Sequence, residues 1–215
     1  MNILSALTLL ITTLAVVIQI YGIDQVKQLP EQHGDKFYYF GFGSNMLAKR
    51  IHIQNPTAVI VGPALLENYR LDFAMPSGFW NGAVATVVQD ADSQTWGTLW
   101  EIDLSNLPDI DNQEAVHLGK YKPVSVQVKL PNNATEIPAR LYVITKEPEG
   151  NVRDMPPNEV PEDRQPSRTY LQVMVKEAIE SSIPECYVKW LKGFKHNNQT
   201  VKHLEELLEL QSVEL

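Results

Sequence analysis

The sequence predicts a mixed α/β (α+β) fold in which a small barrel-like β-sheet forms the core and helices flank it. Short apolar and β-branched runs succeed one another from Lys36 to Thr145, and turn residues separate them. Helical patterning is confined to a short segment after Asp103 and to the stretch from Ser167 to Leu210. The chain has 215 residues and 44% hydrophobic content, and a single domain over residues 23–215 accounts for all but its first 22.

Those first residues, Met1 to Gly22, carry no charged side chain, and Ile3 to Ile20 is an apolar run interrupted only by Ser5, Thr8, Thr12, Thr13 and Gln19. At about 1.5 Å per helical residue, the run approaches a bilayer crossing. It reads as a signal peptide cleaved after Gly22 or as an uncleaved signal anchor that tethers the domain to a membrane. Either reading makes the domain secreted or membrane-anchored on the lumenal or extracellular side. Two usable glycosylation sequons begin at Asn133 and Asn198, a number that chance alone would give.

The strand candidates are Phe37 to Phe42, Ala58 to Leu71, Ala83 to Val88, Thr95 to Ile102, Val124 to Leu130 and Ala139 to Thr145. Gly78, Asn81-Gly82, Asp90 to Asp92 and Pro131-Asn132-Asn133 punctuate them. Val124 to Leu130 alternates apolar and polar residues, so one face meets the core and the other meets water. Residues 147–166 hold five of the fourteen prolines and predict no regular structure; such a stretch is a lid, a binding loop or a plain surface excursion. The C-terminal helical portion, 167–215, is broken by Pro184 and by Lys195 to Asn198, and its charged last helix belongs on the surface.

Charge and composition exclude several functions. Eighteen Lys and Arg against 26 Asp and Glu leave a net charge of −8, which argues against nucleic acid as a partner. One cysteine, Cys186, permits neither an intrachain disulfide nor a cysteine-based zinc site, and the five histidines show no ligand spacing, so no metal is expected. Gly41-Phe42-Gly43 does not complete a dinucleotide fingerprint, because Met46 stands at the third glycine position, and no P-loop follows.

Two segments retain chemistry. Phe37 to Phe42 is an apolar strand that runs into Gly43-Ser44-Asn45, and Met46 to Arg50 then looks helical. A glycine at this strand-to-helix joint lets backbone approach a ligand, and the first N–H groups of the helix face an anion; the plainer alternative is a tight turn capped by Ser44 or Asn45. The second segment, Ile102 to Val116, is acidic but threaded with Leu104, Leu107, Ile110 and Val116 as one buried stripe. Asp103, Asp109 and Asp111 then read as its solvated face. Glu114, beside Ala115 and Val116, is the carboxylate that burial would turn into a base near neutrality.

Together the two segments resemble the γ-glutamylcyclotransferase family, whose signature pairs an aromatic strand ending in Tyr-Gly-Ser-Asn with a later Asp-x-x-Glu-Gly. Here they read Tyr39-Phe40-Gly41-Phe42-Gly43-Ser44-Asn45 and Asp111-Asn112-Gln113-Glu114-Ala115. The likeness continues through Arg50-Ile51-His52, Asn55-Pro56, Leu71-Asp72-Phe73, Trp96-Gly97, Trp100, Tyr121 and Pro166-Ser167 with Tyr170. It implies a compact α/β fold with a small barrel-like sheet and an enzyme that cyclises γ-glutamyl amino acids or dipeptides to 5-oxoproline without a cofactor. It implies Glu114 as proton acceptor and Tyr39, Phe40, Gly41, Phe42, Gly43 and Ser44 as the substrate loop. Tyr170 matches a substrate-contacting tyrosine, and relatives of this kind often pair as homodimers. Two departures stand out: Phe42 replaces the usual tyrosine and Ala115 the usual glycine. Rival readings are a cyclotransferase directed at glutathione or γ-glutamylamines, and a binding protein that has lost turnover.

Overall fold

The computed structural model describes residues 28–131 and 135–215. The apolar leader and the sequon residue Asn133 lie outside the described residues, whereas Asn198 is exposed. Strands β1 (Gln32–His33) and β2 (Lys36–Gly41) precede a single 3-10 turn, Ser44–Met46, and the short helix α1 (Ala48–Ile51). A long hairpin of β3 (Val59–Ser77) and β4 (Gly82–Asp103) follows, then a 3-10 turn and helix α2 (Leu107–Gln113). Strands β5 (Tyr121–Lys129) and β6 (Glu136–Ile144) complete the sheet, and α3 (Arg168–Glu180), α4 (Glu185–Lys192) and α5 (Lys202–Leu207) complete the chain.

The strands lie in the order β1-β2-β4-β3-β5-β6, and β2 also meets β6 in parallel at Tyr39 and Arg140. That last pairing closes five strands into a barrel, the architecture expected from the sequence. The period-two alternation of β2 divides its aromatic residues between two cores. Phe37 and Tyr39 join a small cluster with Ile51, Trp100, Ile102 and Ile110, whereas Phe40 joins the large cluster under α3 and α4. Gly97 is required where β4 crosses β2, because a Cβ there would lie 2.3 Å from the Gly41 carbonyl oxygen.

Two expectations are corrected, and one open alternative is narrowed. The strands predicted at Ala83 to Val88 and Thr95 to Ile102 are one strand, β4. Tyr69 pairs with Gln89 and Glu67 with Gln94, so residues 90–93 form a wide bulge opposite Asn68, itself at φ 61°, instead of ending the strand. The helix predicted over Met46 to Arg50 is broken at Leu47, which is extended at φ −76° and ψ 121°, and neither Ser44 nor Asn45 caps it with a side chain. The lid is the one set aside of the three readings of the proline-rich passage, because no residue of that passage lines the cleft described below. It is packed through buried Val152 and Val160, and through Arg164, which binds Asp72 Oδ1 at 2.5 Å and the carbonyls of Glu149 and Phe73 at 2.6 and 3.2 Å. The last helix is amphipathic: Lys202, His203 and Glu206 are exposed, while Leu204 is buried.

Candidate active site

A cleft of about 630 Å³ opens between the loop after β2, the tip of the β3–β4 hairpin and the C-terminal end of α2. Helix α2 starts with Pro108 in its first turn, and Ile110 and Leu107 bury its inner face in the small core. Asp111 fixes its orientation. This residue was read as part of a solvated face, but it accepts from Arg140 Nη2 at 2.9 Å and from the Tyr142 hydroxyl at 2.5 Å. Arg140 also donates to Glu31 and Tyr142, so one buried guanidinium ties the helix to the barrel wall. The helix ends because Ala115 turns left-handed, at φ 50° and ψ 42°, which leaves Glu114 at the C-cap with its side chain in the cleft.

Glu114 Oε1 accepts from Asn45 Nδ2 at 3.0 Å and from Gln113 Nε2 at 3.2 Å. Asn45 Nδ2 also donates to the Tyr39 hydroxyl at 3.0 Å, and its Oδ1 accepts from Gln113 Nε2 at 2.9 Å. Gln113 in turn accepts from Asn55, which is fully buried. The two segments singled out in the sequence therefore meet through a network of amides that points one oxygen of Glu114 at the loop. Its other oxygen makes no hydrogen bond among the described residues. Burial pushes the Glu114 carboxyl up to about 7, and Asp111 adds to the rise; Arg50, Gln113 and Asn45 restrain it. A carboxyl so placed exchanges protons near neutrality.

The loop is shaped by close approaches. A Cβ at Gly43 would lie 2.7 Å from the Tyr170 hydroxyl oxygen, and one at Gly41 would lie 2.9 Å from the Asn45 carbonyl oxygen. Tyr170, on the first turn of α3, is held where Ser167 caps that helix by accepting from the Tyr170 N–H at 3.0 Å. Its hydroxyl accepts from the Ala85 N–H at 3.1 Å, and burial raises its pKa, as it does for Tyr39 and Tyr121. These phenols stay protonated and line the cleft, with the Tyr121 hydroxyl donating to the Ala85 carbonyl at 3.4 Å.

Of the residues predicted for the site, Glu114, Tyr39, Phe42, Gly43, Ser44 and Tyr170 line the cleft together. Phe40 and Gly41 do not: Phe40 faces the large core on the opposite side of the strand, and Gly41 is packed under Asn45. Sequence reasoning did not select Gln113, Arg50, Tyr142 or the hairpin-tip residues Phe79 and Trp80 for the site, although all line it. Arg50 stood among the residues of the resemblance, so the signal existed. The hairpin tip was read only through its turn residues, Gly78 and Asn81-Gly82, and these gave none. Among the described residues, no group of three or more His, Cys, Asp or Glu could hold a metal ion.

Comparison with known proteins agrees with this geometry. Residues 94–191, which include Glu114 and Tyr170, match the model of the AIG2-like family. A curated bovine protein named gamma-glutamylcyclotransferase is 35% identical over 185 residues, 84% of this chain and 90% of the relative. Its human counterpart of the same name is 33% identical over 80% of this chain and 86% of its own. A solved structure titled gamma-glutamyl cyclotransferase superposes with a TM-score of 0.70 at 30% identity, covering 81% of this chain and 98% of that one. With matches of this extent on both sequence and fold, the chain belongs to the γ-glutamylcyclotransferase family.

Proposed function

We propose that this protein is a γ-glutamylcyclotransferase that closes the γ-glutamyl group of γ-glutamyl amino acids into 5-oxoproline and releases the amino acid. The observation that carries the reading is the half-buried Glu114 carboxyl, raised to about 7 and held 3.0 Å from Asn45 at the end of the aromatic strand. In the reaction the substrate's α-nitrogen bonds to its own γ-carbon, and the bond from that carbon to the leaving nitrogen breaks. The α-ammonium loses two protons and the leaving amine gains two, so a carboxyl that takes and returns protons completes the cycle with none left over.

Because nucleophile and electrophile belong to one molecule, the cleft's main task is to fold the glutamyl chain into ring-closing geometry. Backbone N–H groups from Gly43 to Asn45, together with the tyrosine hydroxyls, are suited to hold the α-carboxylate or the tetrahedral oxyanion. Tyr39, Phe42, Gly43, Ser44 and Tyr170 are proposed as substrate contacts, and Phe40 and Gly41 as their support.

The test is release of 5-oxoproline from γ-glutamyl-alanine by the purified domain. We expect Glu114→Gln to lower turnover by about 10² to 10³-fold or more without lowering the melting temperature. Saturable binding without product in the unaltered protein would favour the binding-protein reading. Residues 1–22 are proposed as a leader on the strength of their charge-free apolar run, so the mature chain is expected to begin near Ile23. N-terminal sequencing checks this, and an intact Met1 in membrane fractions would make the segment an anchor instead. Among the described residues, no helix is long and apolar enough to cross a membrane.

A further inference from the structure

Arg50 is a cation in the cleft whose opposite charge there, Glu114, acts on it through space and not through a direct ion pair. It leaves helix α1 half-buried and lines the cavity with Glu114 and Tyr170. Its Nη1 donates to Gln54 Oε1 at 3.3 Å, and its buried Nε–H has no acceptor among the described residues. It forms no ion pair among the described residues. Burial works against its charge, and a guanidinium in this condition is costly unless an anion arrives to satisfy it. Arginine cannot relieve the cost by losing its proton, and Glu114 makes no direct ion pair with it, so a ligand anion has a vacant partner here.

The ligand of the proposed reaction brings two carboxylates and one ammonium. In the proposed reaction the ammonium goes to Glu114, which lines the cleft with Tyr170 and has one oxygen without a hydrogen bond among the described residues, so the glutamyl end lies beside these two. Arg50 lies within Coulombic reach of Glu114 and Tyr170, and its guanidinium also borders the rim of the cavity. Its guanidinium carbon lies 5.9 Å from the centre of the Phe79 ring, and Phe79 and Ile53, both lining the cavity, are 52% and 55% exposed. The arginine thus stands where the departing amino acid extends toward solvent.

We propose that Arg50 binds the carboxylate of the departing amino acid and so selects γ-glutamyl amino acids over γ-glutamylamines. This rests on the cyclotransferase reading and adds to it the residue that distinguishes the two substrate classes. A carboxylate on Arg50 would form a charge-assisted pair in a half-buried setting, where loss of one partner is expensive.

The experiment compares γ-glutamyl-alanine with γ-glutamyl-ethylamide, whose leaving group is alanine without its carboxylate. The unaltered protein should prefer the alanine substrate in kcat/KM by about 10²-fold. Arg50→Gln should lower kcat/KM for γ-glutamyl-alanine by about 10²-fold and for the ethylamide by less than about 5-fold, collapsing the preference, and Arg50→Lys should restore part of it. Equal losses on both substrates, or a preference that survives Arg50→Gln, would overturn the proposal. So would a preference that collapses in Lys120→Gln instead, since Lys120 also lines the cavity.

Calorimetry on the Glu114→Gln protein reads the same discrimination without turnover: γ-glutamyl-alanine should bind at least about 10-fold more tightly than the ethylamide, and a second change at Arg50 should abolish the difference. If the unaltered protein releases 5-oxoproline from neither substrate, the cyclotransferase reading fails, and this binding difference still decides the role of Arg50.

Discussion

Ala115 shows how a single backbone angle is set against the side chain that occupies it. The residue sits at φ 50°, a region that glycine enters freely and alanine enters at a cost of roughly 1 to 2 kcal/mol. The turn there is needed, because it ends α2 and leaves Glu114 facing the cleft. Ala115→Gly should therefore raise stability by about 1 kcal/mol in urea unfolding, since the relief of strain exceeds the added entropy of the unfolded glycine. A lower stability would mean that the methyl group makes compensating contacts. Phe42 is the other departure from the family pattern: it lines the cleft with a ring and no hydroxyl, so hydrogen bonding there falls to Tyr39, Tyr121 and Tyr170.

At the scale of elements, α3 holds the site from behind. Glu177, 2% exposed, accepts from the Ser181 hydroxyl and from the Ala48 N–H at the start of α1, the helix that carries Arg50. Burial raises its carboxyl to about 7, as it does that of Glu114. Both acids are weaker in the folded than in the unfolded protein, whose value is 4.5. Their contribution to stability is complete below pH 4.5 and is lost as pH rises through 7. Thermal melts should show stability falling between about pH 5 and pH 8, and Glu177→Gln should flatten the slope by the share of one of the two groups. A slope unchanged by Glu177→Gln would show that this carboxyl does not titrate in that range.

The elements also show what sequence could and could not reveal. The aromatic strand, the glycine loop and the acidic segment were legible because alternation, a glycine-serine-asparagine run and an apolar stripe are local signals. The role of Asp111 was not legible, since its partner Arg140 is 29 positions away and only barrel closure brings them together. The Asp90–Asp92 run looked like a turn for a similar reason: the ladder that carries β4 past it is made by the partner strand, β3.

For the whole molecule, the closure of β2 on β6 is the event that assembles the cleft. It places Tyr39 beside Arg140, and Arg140 reaches Asp111 on the helix that ends in Glu114. Barrel architecture was predictable from many short strands with regular punctuation, but the identity of the closing pair was not, because a single residue pairing carries it.

The central claim is that Glu114 moves the protons of an intramolecular ring closure, and the pH dependence of 5-oxoproline release tests it most directly. Since the base must be deprotonated in the free enzyme, kcat/KM for γ-glutamyl-alanine should rise with pH through an inflection near 7, and that inflection should disappear in Glu114→Gln along with most of the activity. A profile flat between about pH 6 and 8, or a Glu114→Gln protein that turns over at the rate of the unaltered one, would contradict the account.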